Sequence, residues 1–199
     1  LVRLQSIPVP DGFGEFGEAL LQRDAGLFDE WFLQRHLGLR ANDIAWDVVA
    51  GGFAAVLGAL DEQPRVFMHR DYHSRNLMVL DADGPGILDF QGAMRGPLAY
   101  DLASLLRDCY LSWPDERVEG WVAGQHARLQ SAGLCEADLP TFQAWFDLAG
   151  LQRHLKVLGI FCRLAYRDEK PAYLPNLPLV FDYVTRIGGR YEATRPLVS

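Results

Sequence analysis

Lysine is nearly missing from this sequence: of 19 basic residues only Lys156 and Lys170 are lysines, and the formal net charge is −7. With no basic run to concentrate positive charge, a nucleic-acid backbone is not an expected partner. Cysteine is scarce as well. Cys109, Cys135 and Cys162 are far apart, odd in number and without close histidine spacing, so neither a zinc site nor a disulfide framework is indicated, and a reducing cytoplasm is the expected setting. No apolar run approaches the roughly 20 residues that cross a bilayer, and no basic segment followed by an apolar one opens the chain, so neither a membrane span nor export is expected. An initiator methionine is also lacking at Leu1, as expected for a processed, truncated or partial chain. No internal repeat or low-complexity tract appears.

What remains is an ordinary globular composition, 49% hydrophobic over 199 residues, enough to bury a core as one domain or one large lobe. Helical periodicity predicts helices over Glu15–Arg23, Phe28–Leu37 and Asp43–Asp61, where Val48, Val49, Phe53, Val56, Leu57 and Leu60 recur at three- and four-residue steps. From Arg65 the texture changes. Short apolar runs at Val66–His69, Leu77–Leu80 and Gly86–Leu88, with a turn from Asp81 to Pro85, read as a strand, a loop and a hairpin. Helices return over Leu98–Leu111, Asp115–Ser131 up to Gly133, Pro140–Tyr166 and Leu177–Ile187, the last stopped by Gly188 and Gly189. The expected class is therefore α+β, predominantly helical, with a small β insertion.

That insertion carries the charged residues. His69-Arg70-Asp71 follows an apolar strand, Asn76 lies five residues beyond Asp71, and Asp89 closes the hairpin. Phosphoryl transfer from ATP needs Mg²⁺ to neutralise charge on phosphate oxygens, and Mg²⁺ takes a few oxygen ligands while keeping waters. Asn76 and Asp89 offer such oxygens. Transfer also needs a carboxylate that orients the acceptor hydroxyl and takes its proton, a role suited to Asp71, while His73 is placed to donate to the moving phosphate. Asp and Asn also favour turns for purely local reasons.

The order and spacing of His69-Arg70-Asp71, Asn76 and Asp89-Phe90-Gln91-Gly92 resemble the protein-kinase-like superfamily, with its H-R-D-x-x-x-x-N loop and D-F-G metal motif. Gln91 stands where that motif has glycine. The variant Asp71-Tyr72-His73-Ser74-Arg75-Asn76 is similar to aminoglycoside phosphotransferases and choline kinases. The resemblance implies the C-terminal lobe of that fold, with His69 and Arg70 as structural support and Asp101, in Tyr100-Asp101-Leu102-Ala103, buttressing the catalytic loop. Asp101 also fits an ordinary first helical turn. Asp89 to Asp101 contains no Ser or Thr to be phosphorylated, so Arg70 is expected in a structural ion pair, and the acceptor is expected to be a small molecule.

Within that branch, Leu27-Phe28-Asp29-Glu30-Trp31-Phe32 and Leu151-Gln152-Arg153-His154-Leu155-Lys156 resemble bacterial sugar kinases that phosphorylate N-acetylmuramate and N-acetylglucosamine at the anomeric hydroxyl in cell-wall recycling. Glu30, Trp31, Arg153 and His154 are the implied sugar contacts. Trp31 and Phe32 equally suit a core, and Arg153, His154 and Lys156 a solvated helix face. An aminoglycoside or other small-molecule phosphotransferase, and a non-catalytic pseudokinase-like lobe, stay open as alternatives.

Gly12-Phe13-Gly14-Glu15-Phe16-Gly17 matches G-x-G-x-x-G, yet neither a strand lysine nor a βαβ unit follows it. The N-terminal nucleotide lobe is therefore expected to be absent from these residues, and the chain alone to fold but not to catalyse.

Overall fold

The computed structural model describes residues 1–81 and 84–199; Ala82 and Asp83, inside the turn expected from Asp81 to Pro85, lie outside the described residues. The chain is predominantly helical and divides into two compact units, one built from Leu1–Phe16 and Leu60–Gly150, the other from Gly17–Ala59 and Leu151–Ser199.

In the first unit, β1 (Arg65–Met68), β2 (Leu77–Met78), β3 (Gly86–Ile87) and β4 (Met94–Pro97) form two antiparallel pairs. The hairpin β2–β3 pairs Leu77 with Ile87 and Met78 with Gly86. The other pair, β1–β4, sets Arg65 opposite Pro97 and Met68 opposite Met94. β4 has no sequence signal of its own, because its Gly96 and Pro97 read as turn residues. Its partner strand creates it: a Cβ on Gly96 would fall 2.5 Å from Met68 Sδ, so only glycine lets the two strands close without moving Met68.

The helix expected from Glu15 does not start there. Arg95 N donates to the Gly14 carbonyl (2.7 Å) and Phe16 N to the Arg95 carbonyl (2.8 Å), which lays Gly14–Phe16 along β4 as an extended segment. Phe16 is thereby buried against Tyr100, ring centroids 5.0 Å apart. The glycine-rich stretch is a strand-like edge of this sheet.

Helices α4 (Tyr100–Leu106), α5 (Asp115–Ser131) and the first half of α6 (Leu139–Tyr166) complete this unit. α4 was expected to reach Leu111 but ends at Arg107, with φ −117° and ψ 55°. The following residue explains the stop: the Asp108 carboxylate accepts the N–H of Tyr110 (2.9 Å), a local bond that competes with the helical pattern.

In the second unit, α2 (Glu18–Leu27) runs into a π-helical stretch, Phe28–His36, and α3 (Trp46–Asp61), the rest of α6 and α7 (Leu177–Gly188) pack with them. Phe28 and Phe32 turn inward, against Phe53 and Phe181 respectively. The junction of α2 with the π stretch touches α6 backbone to backbone: a Cβ on Gly159 would sit 2.3 Å from the Leu27 carbonyl oxygen. Among the described residues no helix is long and apolar enough to cross a membrane.

Candidate active site

β1 feeds directly into the loop that carries the expected catalytic residues. As the chain leaves the strand, His69 N donates to Asp101 Oδ2 (2.7 Å) and Arg70 N to Asp101 Oδ1 (2.9 Å). Asp101 sits in the first turn of α4 and is fully buried. One carboxylate therefore holds two successive amides by charge-assisted bonds. Between them Arg70 adopts φ 76°, a left-handed conformation that costs a non-glycine residue and persists only where its surroundings impose it. Asp71 follows immediately, half-buried.

The loop then closes on itself. His73 N donates to the Asp71 carbonyl (3.1 Å) and Asn76 N to the His73 carbonyl (3.0 Å). Asn76 Nδ2 donates to the Asp71 carbonyl (2.9 Å), so the amide nitrogen is spent inside the loop and Oδ1 is the atom left for a cation. Asn76 also reaches the hairpin, since its carbonyl accepts Leu88 N–H (2.9 Å). Asp89 is the next residue. It too is left-handed, with φ 64° and ψ 40°, and its Oδ1 accepts from Gln91 Nε2. Gln91, in the position where the resembling motif has glycine, ties down one metal-side oxygen. Two oxygen donors suit Mg²⁺ carried on nucleotide phosphates, which needs few protein ligands; among the described residues no cluster of three His, Cys, Asp or Glu forms a cage.

Tyr72 is buried with its ring edge-on to His69, centroids 5.8 Å apart. Burial, and then the negative charge of Asp101, push its phenol above the ordinary range. The His69 ring is buried too, with neither nitrogen hydrogen-bonded among the described residues. The ion pair expected for Arg70 does not form among them: its Nε is buried without a partner, and its Nη1 would lie 3.9 Å from a Cβ on Gly92. The nearest carboxylate contact of Arg70 is made by its backbone instead.

The four implied sugar contacts separate. Glu30 and Trp31 line a cavity of about 490 Å³ with Gln34, Arg35, Tyr166 and Arg167. Arg153 and His154 are buried in α6, at 4% and 0% exposure, and the His154 ring stacks on Tyr183 at 4.7 Å, so they are core residues of the second unit. Lys156 is likewise buried, which also removes the solvated face as a reading. Their period along the helix carries no sign of this; for His154 the packing partner is Tyr183 of α7.

One residue at the loop escaped the sequence reading. Asp108, at 1% exposure, accepts Ser74 N–H through Oδ2 (2.9 Å). It lies just past the end of α4, seven residues after Asp101, where no motif of the sequence marks it.

A family model described as the phosphotransferase enzyme family matches residues 1–145. Curated relatives named N-acetylmuramate/N-acetylglucosamine kinase include one from Pseudomonas putida, 41% identical, with 96% of this chain and 56% of that protein aligned. Another, from Neisseria meningitidis serogroup B, is 39% identical, with 100% of this chain and 60% of that protein aligned. A third, from Pseudomonas aeruginosa, is 42% identical, with 96% and 57% aligned. The chain thus spans 56–60% of the length of these relatives. A solved structure of Plasmodium vivax ethanolamine kinase superposes with a TM-score of 0.62 at 13% identity, covering 97% of this chain and 58% of that one, a likeness of fold alone.

Proposed function

The chain belongs to the phosphotransferase enzyme family, and on that premise we propose that it is the catalytic lobe of an ATP- and Mg²⁺-dependent sugar kinase acting on the anomeric hydroxyl of N-acetylmuramate or N-acetylglucosamine. The observation that carries this reading is the bracing of the Asp71 loop by the Asp101 carboxylate, with Asn76 turned so that its amide oxygen is left for a cation. Relatives of that name at 39–42% identity support the choice of acceptor.

Asp71 accepts a hydrogen bond from the acceptor hydroxyl, orients it, and takes its proton as the new O–P bond forms and the bond from the γ-phosphorus to its bridging oxygen breaks, that oxygen leaving with ADP. His73 donates to an oxygen of the moving phosphoryl group. Asn76 Oδ1 and the Asp89 carboxylate would hold Mg²⁺. Bound Mg²⁺-ATP supplies the phosphoryl group and the countercharge for its oxygens. Asp101 touches none of the reacting atoms and keeps the loop in place.

For the acceptor, Glu30 and Trp31 offer a carboxylate and an aromatic face, and the guanidinium of Arg35 in the same cavity suits the lactyl carboxylate of N-acetylmuramate; the Arg167 guanidinium is paired with Asp168. Neither lysine is placed to grip phosphates from a strand: Lys156 is buried in α6, and Lys170 lies beyond that helix. A nucleotide lobe outside these 199 residues completes the site in this reading, and cell-wall recycling in the cytoplasm is its setting. Three buried free thiols fit a reducing compartment.

The test joins the chain to its nucleotide lobe and offers N-acetylmuramate, N-acetylglucosamine and kanamycin with Mg²⁺-ATP. Transfer to the amino sugars and not to kanamycin is expected. Asp71→Asn should lower kcat by about 10³-fold without changing the melting temperature, and the chain alone should not turn over. Transfer to kanamycin alone, or wild-type turnover by Asp71→Asn, would overturn the reading.

A further inference from the structure

The bracing of the loop by Asp101 accounts for its entry, at His69 and Arg70, but not for its exit, where His73, Ser74 and Arg75 must be held if Asp71 and Asn76 are to keep their relation. The exit has a buried carboxylate of its own. Asp108 takes one amide on each oxygen, Ser74 N on Oδ2 and Tyr110 N on Oδ1, both at 2.9 Å. Tyr110, fixed by that second bond, presents its ring to the loop. The Arg75 guanidinium lies 3.4 Å from the ring centroid, and the His73 ring meets it edge-on at 6.0 Å. Every residue from His73 to Arg75 thus contacts the segment that Asp108 organises.

Asp108 is itself held from behind. Its neighbour Arg107 is buried and ion-paired with the buried Asp147 of α6, and the Arg107 guanidinium lies over the Phe146 ring, 4.7 Å from its centroid. A carboxylate buried with two amide donors is an acceptor whose position the fold sets before any ligand arrives. His73 sits two residues after Asp71 and its N–H is bonded to the Asp71 carbonyl, so a shift at Ser74 passes directly to both side chains.

We infer that Asp108 is a second positioning residue of the phosphoryl-transfer loop: with Tyr110 it sets His73 and, through the loop's internal bonds, Asp71, while touching no reacting atom. The inference rests on the kinase reading of the loop. A purely structural role would lower stability alone; a positioning role lowers kcat beyond what stability explains, because misplacing a catalytic group by about 1 Å costs on the order of 100-fold in rate.

The experiment compares Asp108→Ala, Asp108→Asn and Val122→Ala in the chain joined to its nucleotide lobe, Val122 being a fully buried residue of α5 outside the loop. Asp108→Ala should lower kcat about 30- to 100-fold, with KM for sugar and ATP changed by less than about 2-fold. Asp108→Asn, which retains one acceptor oxygen but turns its NH2 towards the other amide N–H, should fall between Asp108→Ala and wild type in kcat. Val122→Ala should lose stability and keep kcat. Wild-type kcat in Asp108→Ala, or an equal fall in Asp108→Ala and Val122→Ala, would overturn the inference.

If the wild type phosphorylates no amino sugar, the proposed function fails by itself, and amide hydrogen exchange still decides the brace. Exchange at Ser74 and Tyr110 more than about 10-fold faster in Asp108→Ala than in wild type and Val122→Ala supports it; unchanged exchange sinks it.

Discussion

The loop from His69 to Asn76 and the hairpin that follows it supply the two sides of one proposed site, yet they are built in opposite ways. The loop is fastened by two buried carboxylates, Asp101 of α4 at its entry and Asp108, just beyond that helix, at its exit. Among the described residues the hairpin has no such anchor. Val79 is 99% exposed, Phe90 66%, and Met78, Leu80 and Leu88 are all exposed apolar residues. Asp89 itself is exposed, held by the Leu88–Asn76 backbone bond one residue before it and by Gln91. The proton-accepting side of the site is thus preorganised by this unit's own core, whereas the metal side stands on an apolar surface that the described residues do not cover. Preorganisation is costly in buried polar groups, and here it is concentrated where the proposed function has a proton transferred in one geometry.

Substitutions at the two sides should therefore separate stability from activity. The largest effect is expected from Asp101→Ala, which strands two amide N–H groups inside the protein; urea unfolding should show a loss of about 3 kcal/mol, with turnover lost as well. Asp89→Gly should behave differently. Removing a metal ligand is expected to abolish Mg²⁺-dependent transfer, while stability stays within about 0.5 kcal/mol, because relief of the left-handed backbone offsets the greater chain entropy of glycine when unfolded. Equal losses of stability in the two variants would erase the contrast between braced loop and open hairpin.

The smallest effect concerns pH. The phenol of Tyr72 is raised in the folded state, chiefly by burial and then by Asp101, so the folded protein holds this proton more tightly than the unfolded chain. Its contribution is complete below about pH 10, the unfolded value, and is lost as pH rises through the higher folded value. Tyr72→Phe should flatten the alkaline fall in the urea midpoint while leaving the neutral region parallel to wild type. An unchanged alkaline slope would mean that Tyr72 does not carry it.

Much of the helical framework was legible, because α3, α5, α6 and α7 bury one face at helical spacing or end at glycine. β4 was not: Gly96 and Pro97 carry turn chemistry, and only pairing with β1 makes them a strand. Nor was the extended Gly14–Phe16 segment, whose backbone is claimed by Arg95. Residue type alone does not show that Arg153 and His154 are buried in α6, or that α7 places Tyr183 against the His154 ring.

For the candidate site the division follows a physical line. Asp71, Asn76 and Asp89 stood out in the sequence because phosphoryl transfer demands particular functional groups at a nearly fixed local spacing, and local spacing is written along the chain. What braces them is not local. Asp101 and Asp108 reach the loop across 32 and 34 residues, and which amides they capture depends on where α4 docks beside β1. The chemistry was therefore set by residue order, and the geometry in which that chemistry is held was decided by tertiary packing.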